Sequence, residues 1–198
     1  MNQLSKLLAG SLLLAFACSQ PTPKQEESIE ETPSPMEQKL ADYKSVKLTT
    51  DLSALSESEK AMIPKLIEAA QIMDQLFWYE AYGKKDSLLS ATADEATKQY
   101  IKINYGPWDR LDDNIAFLEG VGTKPAGANF YPTDMTKEEF EAAELEGKTS
   151  LYTFIRRNEA GELITVPYHE MFAEEVQKVS KLLKECAELA EDEGLKKY

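Results

Sequence analysis

Residues 56–83 read SESEKAMIPKLIEAAQIMDQLFWYEAYG, and the reading of the fold turns on them. Ser56, followed three positions later by Glu59, has the form of a capping box, in which each side chain satisfies the other's backbone N–H. Apolar residues then recur at Ile63, Leu66, Ile67, Ala70, Met73, Leu76 and Phe77, three and four apart. That spacing puts them on one face of a long amphipathic helix running to about Tyr82, and the stripe is expected to be core. Gly83 stops the helix. Pro64 removes one backbone donor inside it, so a kink or short break is expected there. Phe77, Trp78, Tyr79 and Tyr82 either join the core or line a pocket.

Outward from this helix the chain is predominantly helical with a small β part, an α+β fold. A short extended segment at 43–48, with Val46 and Leu48 on one face, opens the domain. Residues 86–103 form a second, weaker helix. The next stretch, INYGPWDRLDDNIAFLEGVGTKPAGANFYP (residues 103–132), is dense in glycine and proline but also in aromatics. Flexible linkers lack that aromatic content, so this is an ordered, irregular, packed segment. Thr136 and Glu139 cap a short acidic helix that reaches Gly147. Residues 151–157 and 162–166 form one β-hairpin, closed through Asn158 and Gly161. A long C-terminal helix at about 169–193 carries a stripe of Phe172, Val176, Val179, Leu183, Cys186 and Ala190, with Leu182 and Leu189 beside it.

The start of the chain has a different character. Residues 1–17 hold Lys6 and then a short apolar run, too short to span a bilayer, as in a secretory leader. Ala15, Phe16 and Ala17 before Cys18 form a lipobox, and Cys18 is the expected lipid attachment site. The competing reading is an ordinary small-residue cleavage site with Cys18 incidental. Residues 18–40, with Pro21, Pro23, Pro33 and Pro35 among glutamates, form a disordered Pro/Glu tether, because such a composition buries too little apolar surface to offset chain entropy. The folded domain is then 41–198. This arrangement implies a cell-envelope location, with the membrane as a partner through the lipid anchor on a periplasmic or surface face.

Composition narrows the chemistry. Thirty-five acidic against 22 basic residues leave a net charge of -13, which repels phosphate backbones, so nucleic acid is not an expected partner. The single histidine, His169, opens HEMFA (residues 169–173). A zinc helix of the H-E-x-x-H type needs a second imidazole one turn on, where this chain has Ala173, so no metal site and no catalytic triad are expected here. Cys186, at an apolar helical position, reads as a small core residue rather than a reactive thiol. Asp109, Asp112 and Asp113 alone suggest a solvated turn. The most informative local cluster is Asn104, Tyr105, Gly106, Pro107, Trp108, Asp109 and Arg110. It suits either a structural staple, with Trp108 buried and Arg110 bonded to Asp109 or to carbonyls, or one wall of a substrate cleft. Asn129 and Tyr131 belong to the same segment and share both readings.

These residues carry a family resemblance. NYGPWDRLDDN (104–114) and GVGTKPAGANFYPTDMTKEEFE (120–141), with IEAAQIMDQLFWYEAYG (67–83) and GELITVPYHEMF (161–172), resemble the amino-terminal region of bacterial dipeptidyl peptidase III-like zinc hydrolases. The resemblance covers residues 43–198. It implies a two-lobed, helix-rich enzyme that removes dipeptides from peptide amino termini. Such an enzyme holds zinc through an H-E-x-x-G-H helix and a later glutamate. Neither motif occurs here, so zinc is expected in the full-length family and no cofactor in this chain. The chain then reads as a truncated N-terminal part, inactive alone, with apolar stripes left uncovered by a missing C-terminal lobe and with peptide as the substrate of the whole. A non-catalytic, membrane-anchored ligand-binding lipoprotein is the alternative.

Cys18→Ser is expected to release the protein from membranes and to abolish incorporation of labelled lipid. Unchanged membrane fractionation with lipid still incorporated would refute the anchor.

Overall fold

In the computed structural model, which describes residues 32–198, the elements follow one another as α1 (Pro35–Ala41), α2 (Glu57–Ala81), α3 (Lys85–Ala91), α4 (Glu95–Asn104), β1 (Trp108–Asp109), β2 (Ile115–Ala116), a 3-10 turn (Ala128–Phe130), α5 (Lys137–Ala142), β3 (Thr153–Arg157), β4 (Leu163–Pro167), α6 (Tyr168–Met171), α7 (Ala173–Leu189) and α8 (Glu193–Lys197). Cys18 and the leader lie outside the described residues, as does the first part of the expected tether. The α+β, mostly helical character matches the sequence reading.

Helix α2 begins where its capping box puts it. The Ser56 hydroxyl accepts from the Glu59 N–H at 3.2 Å, and the Glu59 carboxylate accepts from the Ser56 N–H at 2.9 Å. The helix continues without a break through Pro64 and ends before Gly83, whose φ of +96° reverses the chain. Its partner is α7. Ala69 and Ile72 of α2 meet Leu182 and Val179 of α7, and the buried Cys186 thiol lies 3.8 Å from the Met62 carbonyl. Cys186 is therefore a core residue, as its position in the helical stripe implied.

The face of α2 that packs is not the expected one. Met62, Ala69, Ile72, Leu76 and Trp78 are buried, whereas Leu66, Ile67, Met73 and Phe77 remain exposed. Only Leu76 belongs to both sets. Helix α2 is apolar on two adjoining sides, and α7 covers the side that the periodicity count did not favour.

The second core cluster gathers around β3. Phe154 and Ile155 have no exposed surface. The Phe154 ring stacks on Phe130 at 4.7 Å between centroids and meets Phe172 edge-on at 5.5 Å. Leu76 and Tyr79 of α2 close this cluster. The hairpin β3–β4 pairs Phe154 with Val166 and Arg156 with Ile164, turned by Asn158 to Gly161, where Gly161 has φ +83°. Arg157 of β3 grips Glu139 of α5 with two bonds of 2.8 and 2.9 Å and Asp134 with one of 2.8 Å. Lys148 donates to the carbonyls of Phe140, Glu141 and Ala143, satisfying the C-terminal end of α5.

Several boundaries differ from expectation for local reasons. The tether does not extend to residue 40: Pro35–Ala41 is helical, because Ser34 and Glu37 form a capping box with Pro35 at the first helical position. Residues 86–103 form two helices, because Asp94 accepts from the Thr97 N–H and starts α4 afresh. Residues 43–48 form no strand, and Val46 and Leu48 are exposed. Helix α5 ends at Ala142, before Gly147. The C-terminal helix breaks at Phe172, whose backbone (φ −123°, ψ 44°) leaves the helix while its ring enters the core. Leu182, not Leu183, takes the core position of α7.

Phe154→Ala is expected to cost about 3–5 kcal/mol of unfolding free energy, the range for truncating a buried aromatic. Denaturant unfolding measures it, and a loss under about 1 kcal/mol would deny Phe154 its central place.

Candidate functional site

The segment after α4 is shaped by its backbone. Tyr105 closes α4 in the left-handed conformation (φ 54°), and Gly106 follows at φ 152°. Asp113, Asn114 and Ala128 also have positive φ. All four non-glycine residues of this kind among the described residues lie between 104 and 132. Such conformations are costly and persist only where surrounding contacts enforce them, and they concentrate at functional sites.

Three sets of contacts enforce them here. Trp108 is buried against Tyr82, and its indole N–H donates to the Gly122 carbonyl at 2.9 Å. The Asn104 amide oxygen accepts from the Arg110 backbone N–H at 2.9 Å, while its amide nitrogen donates to the Tyr100 carbonyl at 3.0 Å. The Asp109 carboxylate is buried and accepts from Lys39 and from the Tyr100 hydroxyl at 2.7 Å each, and from the Leu111 N–H at 3.1 Å. Burial by itself would raise the Asp109 carboxyl, but the bonds from Lys39, Tyr100 and Leu111 outweigh it and hold it below the ordinary aspartate value. Burial, then the Asp109 bond, drives the Tyr100 hydroxyl well above its ordinary range.

The expected bond between Asp109 and Arg110 is therefore absent. Asp109 is taken by Lys39 of α1, and Arg110 points outward with its guanidinium 5.9 Å from the Tyr105 ring. Asn129 donates from its amide to the Tyr79 carbonyl at 2.8 Å, near the end of α2. Tyr131 meets Phe140 edge-on, and its ring occupies the space that a Cβ on Gly127 would need. Both hold the segment in place. The sequence reading missed Arg156, which donates to the Phe130 and Asn129 carbonyls at 3.1 and 3.0 Å while lying 4.7 Å from the Phe154 ring. It missed Lys39 as well. An arginine alternating along a strand and a lysine in a Pro/Glu stretch carry no local signal of such roles.

Between α2, the end of α4 and the 3-10 turn lies a cavity of about 210 Å³. Phe77, Tyr105 and Phe130 wall it, and Glu80, Arg110 and Lys124 bring charge to it. The Tyr105 hydroxyl donates to Asp74 at 2.6 Å, which fixes that wall and raises the hydroxyl pKa. Burial, reinforced by the Arg110 charge, lowers Lys124 below the ordinary lysine value. Burial raises the Glu80 carboxyl, and burial beside Glu80 pushes the Tyr168 hydroxyl up to about 12. An aromatic recess with two cations and one reluctant carboxylate suits a small polar ligand or a peptide end. Among the described residues no group of three metal-ligating side chains converges, and His169 lies exposed on α6. The described residues do not fit a zinc centre.

No protein-family model matches the chain. Nudix hydrolase 3 of Arabidopsis thaliana is 26% identical over 224 residues, covering 82% of this chain and 29% of that protein. Two solved structures are closer. Dipeptidyl peptidase III of Caldithrix abyssi superposes with a TM-score of 0.75 at 37% identity, over 82% of this chain and 33% of its own. The dipeptidyl peptidase III of Corallococcus sp. strain EGB superposes with a TM-score of 0.73 at 30% identity, over 81% of this chain and 32% of its own. The chain thus has the fold of one part of a dipeptidyl peptidase III and spans about a third of the length of these relatives.

Three substitutions separate scaffold from cavity. Trp108→Ala should cost about 3–5 kcal/mol. Asp109→Asn should cost about 1.5–3 kcal/mol, the range for a bond to a charged group. Arg110→Ala should lie within about 0.5 kcal/mol of wild type, as exposed positions do. Because the folded Asp109 pKa is depressed, its contribution is present above the unfolded value of 3.8 and is lost as pH falls through the lower folded one. Denaturant unfolding from pH 7 to pH 3 should show the Asp109→Asn deficit shrinking at the acid end. A pH-independent deficit would remove the charge from the explanation.

Proposed function

We propose, from the likeness of this chain to one third of a dipeptidyl peptidase III, that it supplies the N-terminal part of an exported, zinc-dependent exopeptidase acting on peptides. The observation that carries this is the match to the Caldithrix abyssi enzyme at 37% identity across 82% of the chain. Zinc ligands come from the part of the fold outside these 198 residues, since this chain offers a single histidine and has Ala173 where a second imidazole would stand. The contribution of this chain is to bind and orient peptide, with the aromatic recess beside Arg110 and Lys124 as the surface that receives it. By itself the chain is inactive. Export and a lipid anchor at Cys18 on a periplasmic or surface face complete the reading.

A second reading, a membrane-anchored binding lipoprotein without catalysis, draws on one observation: the recess is formed by residues of this chain alone.

The test is a chimera in which this chain replaces the matching third of the Caldithrix abyssi enzyme. The chimera, loaded with zinc, is expected to release dipeptides from peptide amino termini, and the chain alone to release none. A folded, zinc-loaded chimera without activity, while the chain alone binds peptide, would favour the binding lipoprotein.

A further inference from the structure

Helix α2 is apolar around more of its circumference than this structure covers. At 3.6 residues per turn, Met62, Ala69, Ile72 and Leu76 fall within an arc of about 80°, while the fifth buried residue, Trp78, lies on the far side near the C-terminal end, against Tyr105. Ile63, Leu66, Ile67, Ala70, Met73 and Phe77 occupy the adjoining arc of about 120°. Together they span about 220°, roughly twice the stripe that a surface helix needs to hold one neighbour. Yet Leu66 is 42% exposed, Ile67 52%, Met73 41% and Phe77 42%. An apolar stripe of this length, regular over four turns, is a docking face rather than a scatter of single exposed residues. One acid, Asp74, lies within this arc, and its carboxylate accepts from the Tyr105 hydroxyl at 2.6 Å. A shallow groove of about 450 Å³ runs beside it between Ile67, Ala70 and Lys85.

We propose that this second face of α2 is the seat of the remaining portion of a dipeptidyl peptidase III-like fold, which docks an apolar helix or sheet surface along Leu66, Ile67, Ala70 and Met73. The proposal rests on the reading that this chain is one part of such a fold. What selects this occupant is length. Each matching solved chain is about three times longer than the part this chain covers, so each contains a large body of protein with no counterpart here. A helix whose sequence is patterned for burial on two sides is covered by α7 on one; on the other, Tyr105 meets only its C-terminal part, through Asp74, Phe77 and Trp78, which leaves Leu66, Ile67, Ala70 and Met73 exposed, and the absent body is the natural cover for them. The acidic surface, at a net charge of -13, opposes close approach of a second copy.

The experiment places Leu66→Glu with Met73→Glu in two contexts, the chain alone and the chimera with the Caldithrix abyssi enzyme. Neither residue lines the recess beside Arg110. In the chain alone both side chains keep about two fifths of their surface in water, where a glutamate carboxylate can stay hydrated, and the unfolding midpoint should stay within about 2 °C of wild type. In the chimera the same charges would be buried, and the midpoint should fall by roughly 5 °C or more. The milder pair Leu66→Ala with Met73→Ala should show the same contrast with a smaller shift. Equal midpoints for wild-type and variant chimeras overturn the proposal. So does a large loss in the chain alone, which would make the face part of its own core. So does a dimeric chain that the variants turn monomeric while the chimera is unaffected, which would assign the face to a second copy. If the chimera does not fold, the chain is co-expressed with the remaining two thirds of the relative. A complex captured by wild type and lost with the glutamate pair supports the face, and one retained overturns it. Dipeptide release is not read in this experiment, so a stable but inactive chimera counts against the peptidase reading and leaves the docking result standing.

Discussion

The rest of the structure depends on the packing around Phe154. Its ring has no contact with water, and four parts of the chain meet on it: α2 through Leu76 and Tyr79, the 3-10 turn through Phe130, the start of the C-terminal helices through Tyr168 and Phe172, and its own strand. A two-stranded hairpin is marginal by itself. Here it is stable because one face is pressed into an aromatic cluster, and the cluster exists because the hairpin delivers Phe154 to it. Arg156 lies on the same ring and bonds the carbonyls of Asn129 and Phe130, so the constraint extends into the irregular segment. The break at Phe172 belongs to the same constraint. A straight helix from 168 to 189 would keep the Phe172 backbone helical, whereas the observed break accompanies its edge-on contact with Tyr168 at 5.0 Å.

What could be read from sequence follows from how local each determinant is. Caps are local: Ser56 with Glu59, and Thr136 with Glu139, lie three residues apart and start their helices as expected. The hairpin is local too, with Gly161 in its turn. By contrast, the choice between two apolar faces of α2 depends on where α7 comes to rest more than a hundred residues later, and periodicity shows only that both faces are apolar. The partner of Asp109 is the same kind of case. The adjacent arginine is the obvious candidate in sequence, but Lys39 arrives from 70 positions away on a helix concealed within a proline-rich stretch. That stretch did hold a local signal, Ser34 with Glu37 and Pro35 at the first helical position.

The Asp109 network also changes what α1 is for. A lysine bonded to a buried carboxylate makes residues 35–41 part of the folded body, not the end of a spacer. The charge of Asp109 is tolerable inside only because three donors reach it, and one of them is this lysine. The pair has one half-exposed member, so its worth is closer to that of a good hydrogen bond than to a buried ion pair.

Since Asp109 is satisfied by Lys39, Tyr100 and Leu111, it has nothing left to offer Arg110, and the two neighbours divide the roles that the sequence assigned to them jointly. Trp108 and Asp109 turn inward and hold the segment. Arg110, whose backbone is pinned by Asn104, carries a side chain that bonds no carboxylate among the described residues and lies against the recess with Lys124. Two cations brought near each other repel, and the depressed Lys124 pKa reflects burial first and that repulsion second. A fold keeps such an arrangement at a cost, and it does so here on a backbone already held in strained conformations at Tyr105 and Ala128, both of which line the same recess. An anionic group entering between Arg110 and Lys124 would relieve the repulsion. Arg110 thus brings the positive charge of the motif to the recess, and Trp108 and Asp109 hold the segment that carries it.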